Sequence, residues 1–292
     1  MFKMSETEAY KPINIPDLAY RVSPALGKII PGFLYRYFEK LLHVDEINTF
    51  IRKHYEECAQ DFLDAAVEFF NLKIALEGDA LLKLESLAGK QVMIVSNHPC
   101  GGPEAIAFLD IVHSIFPDIK LLAQGFLKFI KPMQQCCVYN KKEVRSLSNA
   151  LDAGNSLLIY PAGYCSRKLS FGEVFDFEWK QSFVKIAKKY KMPIVVFHTD
   201  GTLGKRMSRW YNFRKFFKIK TSVETVFLVD EMFRMRGKTL TMTAGEIIDT
   251  AKLTDDVSNE EWAARLRQYC HELGNNSKAC FDYYLPATLP LK

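Results

Sequence analysis

Apolar positions change their period part-way along the chain. From Asp45 onward, Ile47, Phe50, Ile51, Tyr55, Cys58, Phe62, Ala66 and Phe69 recur at three-and-four spacing with charges between them, the pattern of a helix buried along one face. An aromatic-rich segment at 31–43 precedes it, so residues 1–85 read as a mostly helical region. From residue 86 short β-rich runs at about 92–97, 119–123, 136–140, 156–160 and 193–198 alternate with helical patterns at about 103–116, 143–153 and 179–191. Two more strands are expected at about 223–229 and 239–244, and a closing helix opens with a capping box from Ser258 to Glu261. Such alternation predicts an α/β fold: a mostly parallel central sheet covered by helices, with its active site at the carboxyl ends of the strands. The N-terminal helical region, 1–85, is expected to pack on an α/β domain at 86–292 as one structural unit.

Two of these strands end in residues with chemistry. Gln91-Val92-Met93-Ile94-Val95-Ser96 runs into Asn97-His98-Pro99-Cys100-Gly101-Gly102-Pro103-Glu104, and a Pro-Cys-Gly-Gly-Pro stretch suits neither strand nor helix interior. Pro103 fits the first position of a helix and Glu104 its first turn, where the helix dipole favours a carboxylate. A carboxylate facing back to His98 fixes one ring nitrogen and leaves the other as a general base, while the glycines let backbone amides approach a reacting oxygen. On composition alone an ordinary βα turn with a surface histidine competes evenly with this reading. The second run, Leu157-Leu158-Ile159-Tyr160-Pro161-Ala162-Gly163-Tyr164-Cys165-Ser166-Arg167-Lys168, also stops at a turn and ends in a hydroxyl and two cations.

The first stretch resembles the leading motif of the glycerolipid (PlsC-like) acyltransferase superfamily, in which a histidine is followed after a four-residue gap by an aspartate. Here that position is Pro103 and the acid, a glutamate, comes one later. The shifted spacing looks like the superfamily's hemolysin-like branch, which O-acylates lyso-ornithine and lyso-glycine lipids and carries an aspartate where this chain has Glu104. Tyr160-Pro161-Ala162-Gly163 resembles the third motif, with alanine where glycerol-phosphate-acylating members carry glutamate, and Ser166-Arg167-Lys168 matches the branch. Cys137 to Lys142 and Ala244 to Ile248 fall where the second and fourth motifs lie, as positional matches. The resemblance covers roughly residues 25–250 and implies catalysis by His98 and Glu104. It also implies a substrate site drawing on Asn97, Gly101, Gly102, Tyr160, Pro161, Gly163, Ser166, Arg167 and Lys168. Backbone amides at Gly101, Gly102 or Gly163, aided by Arg167, are expected to stabilise the oxyanion.

Composition narrows the setting. The chain has 292 residues, 48% of them apolar, and a net charge of +5. Its cations concentrate in 201–220, where Lys205, Arg206, Arg209, Arg214, Lys215, Lys218 and Lys220 mix with Trp210, Tyr211, Phe213, Phe216 and Phe217 without an acid. That blend suits an anionic membrane surface or the acidic face of an acyl carrier protein. Nucleic acid is ranked lower because both motifs imply small-molecule chemistry. A solvated amphipathic helix explains the same pattern without function. No run of about 18 apolar residues predicts a membrane span, and no signal peptide is read at the start. The seven cysteines lack metal-ligand spacing, so reduced thiols and no metal site are expected. Among the other histidines, His198 stands out as a pocket-lining candidate at a strand end.

These readings converge on an enzyme: a membrane-associated O-acyltransferase, peripheral at the cytoplasmic face of the inner membrane. It is expected to take its acyl group from an acyl carrier protein or CoA thioester as co-substrate, with no bound cofactor, and to acylate a lyso amino-acid lipid. A catalytically weakened lipid-binding homologue and a lipid hydrolase using Cys165 or Ser166 with His98 are the alternatives.

Overall fold

The computed structural model describes residues 12–22, 28–123, 127, 130–139, 144–168, 174–204, 209 and 228–284. They divide into two compact units, Met1–Glu57 and Cys58–Lys292.

In the first unit three helices follow one another: α1 (Ile15–Val22), α2 (Gly32–Leu41) and α3 (Val44–Lys53). Asn48 on α3 mimics a backbone partner for Ile13, accepting from its N–H at 2.7 Å and donating to its carbonyl at 2.9 Å, which pins the extended lead-in to α1. No described side chain of α2 is buried, and Phe33 and Tyr37, one turn apart on it, are 66% and 50% exposed. The long helix expected from Asp45 to Phe69 is broken. It stops at Lys53 and restarts as α4 (Ala59–Phe69), whose N-cap is Cys58, with its sulfur accepting from the amide of Asp61 at 3.5 Å.

The second unit is built on a seven-stranded sheet with strand order β1-β9-β8-β2-β5-β3-β4. The strands are β1 (Lys73–Glu77), β2 (Met93–Ser96), β3 (Lys120–Ala123), β4 (Cys137–Tyr139), β5 (Leu157–Ile159), β8 (Ile194–Thr199) and β9 (Thr239–Ile248); β6 (Arg167–Lys168) and β7 (Val174–Phe175) form a separate antiparallel pair. Strands β8, β2, β5, β3 and β4 run parallel, whereas β9 pairs antiparallel with β8 and parallel with β1. The expected α/β fold with a mostly parallel, helix-covered sheet is therefore the observed one.

Both faces of the central strands are buried, as parallel strands between helix layers require. Met93 and Val95 of β2, Leu157 and Ile159 of β5, and Ile194 and Val196 of β8 point into one core with Phe183, Trp262, Leu266 and Tyr269. Phe183 comes from α9 (Ser182–Tyr190) and the last three from α11 (Asn259–Asn275). On the other side Phe108, from α6 (Gly102–Ile115), packs on Phe197 of β8 with centroids 4.6 Å apart.

The remaining helices are α5 (Ala80–Glu85), α7 (Met133–Cys136), α8 (Val144–Asp152) and α10 (Leu228–Arg234). Two sequence expectations change here. Strand β1 lies inside the segment read as helical, because Lys73-Ile74-Ala75-Leu76-Glu77 fits either period until β9 is present to pair with it. Of the strand expected at 223–229, residues 223–227 lie outside the described residues, and Leu228 and Val229 open α10. No helix among the described residues is long and apolar enough to cross a membrane.

Candidate active site

Strand β2 ends between β8 and β5, and His98 sits two residues beyond it. Asn97 fixes the exit. Its side-chain amide donates to the carbonyl of Thr199 at 2.9 Å and accepts from the amide of the same residue at 2.7 Å, extending the β2–β8 pairing by one rung. Asn97 is thus committed to the scaffold, although the resemblance placed it among the substrate-binding residues.

The turn that follows depends on its glycines. Gly101 has φ +86°, a conformation that costs an L side chain strain. A Cβ on Gly102 would stand 2.5 Å from the sulfur of Met232, so the glycine makes the room that this α10 side chain occupies. Helix α6 then opens with Pro103 at its start and presents Glu104 back to the turn. Glu104 is fully buried, and its Oε1 accepts from the amides of Cys100 at 3.0 Å and Gly101 at 2.7 Å and lies 2.8 Å from Nδ1 of His98. The shifted acid therefore reaches the histidine. The Gly101 amide, expected to face an oxyanion, is committed to Glu104 instead, and that of Gly163 donates to the carbonyl of Tyr160 at 3.0 Å.

The second motif meets the first directly. The ring of Tyr160 stacks on that of His98, and the amide of Ser166 donates to the His98 carbonyl at 2.7 Å. The Ser166 hydroxyl bonds Asp176, whose other oxygen accepts from the indole N–H of Trp179 at 2.9 Å, and the backbone amide of His98 also bonds the Asp176 carboxylate. Both polar groups of the His98 main chain are thereby held. Burial pushes the Asp176 carboxyl above the usual range, against the pull of those donors. Pro161 lies in the turn after β5, its carbonyl accepting from the Lys180 amide at 3.2 Å, and Gly163 takes φ +70° with Lys180 Nζ 3.1 Å from where a Cβ would be.

The sequence offered Cys165 only as the nucleophile of an alternative hydrolase, and the structure places it beside His98. The Cys165 side chain hydrogen-bonds the His98 ring, and its sulfur packs with Leu203 and Leu228. Burial pulls the His98 ring towards neutrality, but the neighbouring Cys165 and Glu104 reverse this and hold its pKa well above the ordinary histidine value. Asp176 and Met232 were also missed, since both come to the site only through the tertiary fold.

Other candidates lie elsewhere. Arg167 and Lys168 form β6, paired with Phe175 and Val174; their side chains, like residues Lys205, Arg206, Trp210, Arg214 and Lys215, are outside the described residues, and Arg209 is exposed. His198 bonds Asp200 at 3.1 Å and packs against Gly274 and His271 of α11. No metal-holding cluster of His, Cys, Asp or Glu is present among the described residues.

Comparison with known proteins places this chain among acyltransferases. A lyso-glycine lipid O-acyltransferase from Bacteroides thetaiotaomicron is 29% identical over 89% of this chain and 97% of its own length. A protein of the same name from Phocaeicola vulgatus is 29% identical over 84% of this chain and 89% of its own. Among solved structures, the 1-acyl-sn-glycerophosphate acyltransferase PlsC from Thermotoga maritima aligns with a TM-score of 0.48 at 12% identity, over 89% of this chain and 95% of that one. The acyltransferase family profile matches residues 18–280, so this chain, with its paired His98 and Glu104 at the end of β2, belongs to the acyltransferase family and is an enzyme of acyl transfer.

Proposed function

We propose that the enzyme O-acylates a lyso amino-acid lipid of the glycine-lipid type, using an acyl carrier protein or CoA thioester as donor. The observation that carries this reading is the 2.8 Å contact between His98 Nδ1 and buried Glu104 in a chain whose relatives bear the name lyso-glycine lipid O-acyltransferase. With Nδ1 facing the carboxylate, Nε2 is the nitrogen for proton transfer. The acceptor hydroxyl gives its proton to His98 as its oxygen bonds the thioester carbonyl carbon. The negative charge on that carbonyl oxygen falls to the first turn of α6 and to the buried hydroxyl of Tyr160, which has no hydrogen-bond partner among the described residues. Collapse expels the thiolate, which takes the proton back from His98. Arg167 and Lys168 are assigned the acceptor carboxylate or the donor's phosphate.

A lipid acceptor has to be reached at a surface. In the first unit Ile29, Phe33 and Tyr37 are 76%, 66% and 50% exposed, and the cationic, aromatic stretch 205–220 supplies charge for anionic headgroups. These features support peripheral attachment at the cytoplasmic face of the inner membrane.

The test is mass-spectrometric profiling of lipids from cells that express the wild type or His98→Ala and contain lyso-glycine and lyso-ornithine lipids. A diacylated amino-acid lipid formed only by the wild type is the expected result and names the headgroup. Identical profiles from two folded proteins overturn the proposal.

A further inference from the structure

The resemblance set Ser166 in the substrate site, yet this residue is 2% exposed and its hydroxyl donates to Oδ1 of Asp176. Strands β6 and β7 arrange the meeting. Their register pairs Arg167 with Phe175 and Lys168 with Val174, so Ser166 and Asp176 stand opposite each other as the next pair along. Ser166 in turn donates its amide to the carbonyl of His98 at 2.7 Å. From the other end Asp176 is tied to the core. Its Oδ2 accepts from the indole of Trp179 at 2.9 Å, and Trp179 belongs to the same buried cluster as Met93 and Val95 of β2, the strand that leads to His98. The Asp176 amide reaches Nε2 of His271 at 3.5 Å. Burial, with His198 and Arg267 nearby, pushes His271 down to about 4, so its ring is neutral and that nitrogen accepts. What this framework encloses is a carboxylate only 4% exposed, and no lysine or arginine among the described residues pairs with it. Burying such a group costs stability.

We propose that Asp176, acting through Ser166, is a positioning residue for the reaction: the chain Trp179–Asp176–Ser166 sets the place of the His98 backbone, and with it the point at which Nε2 meets the acceptor hydroxyl. The inference rests on the reading of His98 as the base. Glu104 and Tyr160 orient the imidazole by its nitrogen and its face; the main chain from which the ring hangs is fixed from Asp176. A carboxylate suits this task because its two oxygens accept from two donors at once. An asparagine has one accepting oxygen, and its NH₂ group would face the other donor. The precision matters because proton transfer needs the two atoms within hydrogen-bond reach, and a displacement of about 1 Å costs about 10²-fold. Asp176 itself touches no reacting atom. Ser166, bonded at both its amide and its hydroxyl, leaves the set of substrate-binding residues and becomes the link between the two.

The experiment uses purified full-length protein with lyso-glycine lipid and either palmitoyl-CoA or palmitoyl-acyl carrier protein, and records the His98 ring protons by NMR in the same samples before substrate is added. Asp176→Asn, nearly isosteric, is expected to melt at or above the wild-type temperature, because it removes a buried charge. Its kcat is expected to fall about 10-fold to 100-fold while KM for both substrates stays within about twofold, and its His98 ring resonances to move. Ser166→Ala is expected to act in the same direction, and the double variant to be no slower than the slower single one, since the two residues act in series. A residue that only braces the fold would lower the melting temperature and leave kcat of the folded protein alone; that result overturns the proposal. So does a raised KM at unchanged kcat, which returns these residues to the substrate site, and so do losses that multiply in the double variant. Should Asp176→Asn not fold, Ser166→Ala decides by the same kcat and ring readings. Absence of transfer by the wild type from both donors overturns the acceptor and donor reading instead. The NMR arm still judges the positioning then, and unmoved ring resonances in a folded variant overturn it.

Discussion

The ring of Tyr160 lies on the ring of His98, centroids 4.2 Å apart and planes 27° from parallel. The stack fixes the plane of the imidazole, and the phenol adds a buried hydroxyl that no group among the described residues satisfies. An unsatisfied buried hydroxyl costs stability, of order 1–3 kcal/mol, which is the signature of a group kept for a ligand. Tyr160→Phe keeps the stack and removes the hydroxyl. We expect its thermal midpoint to hold or rise while kcat falls about 10-fold to 100-fold, measured by melting and by acyl transfer on the same preparation.

Glu104 holds two backbone amides and the catalytic ring with one oxygen. Glu104→Asp withdraws that oxygen by roughly one carbon–carbon bond, about 1.5 Å, and is expected to cost about 10²-fold in kcat with the protein still folded. Glu104→Gln keeps the length but loses the charge, so it is expected to spare KM more than kcat. Rates for either variant that equal the wild type's would remove the carboxylate from the mechanism.

His98 titration is open to direct reading by NMR of its ring protons. Because burial lowers its pKa while Cys165 and Glu104 raise it further, the wild-type midpoint is expected above the ordinary 6.5. Removing either raising partner, in Cys165→Ala or Glu104→Gln, is expected to bring the midpoint down. A folded-state pKa above the unfolded one contributes stability that is fully present below about pH 6.5 and is lost as pH climbs through the folded value.

Away from the site, α4 and α6 meet through the side-chain amide of Gln60. Gln60 donates at 2.7 Å to both Asp64 and Asp110, and its carbonyl oxygen lies 2.9 Å from Nδ1 of His113. Burial, then the hydrogen bond and charge of Asp64, push the Asp110 carboxyl up to about 7 from its model-compound 3.8. Between those values the folded chain binds a proton that the unfolded chain has released, so this pair's contribution falls as pH rises from about 4 to about 7. Asp110→Asn is expected to raise the melting temperature at pH 8, where the wild type carries two carboxylates side by side, and to flatten the profile over that window. An unchanged profile would show that the two acids titrate independently.

The histidine–carboxylate pair was legible because both its members are announced locally. An apolar run that stops dead places His98, and Pro103 at a helix start places Glu104. Relationships that need two strands at once were not legible. Asn97 looks like a ligand until Thr199 arrives beside it, and the amides of Gly101 and Gly163 look free until Glu104 and the Tyr160 carbonyl take them. Asp176 sits in a stretch without a motif and matters only because β5, the turn after it and Trp179 bring it under His98. The continuous helix expected across 45–69 failed on a short interruption, since periodicity on both sides of residues 54–58 stays in phase closely enough to hide the break.

The reach of Glu104 across the turn has a consequence for how such sites vary. The commoner pattern it resembles has a shorter loop and a shorter acid; here one added residue in the loop is matched by one added methylene in the side chain, and Oε1 still arrives 2.8 Å from the ring. Loop length and arm length are interchangeable currencies for a single quantity, the gap between nitrogen and oxygen. A search that counts residues alone will pass over a site such as this one, whose nitrogen–oxygen gap is intact.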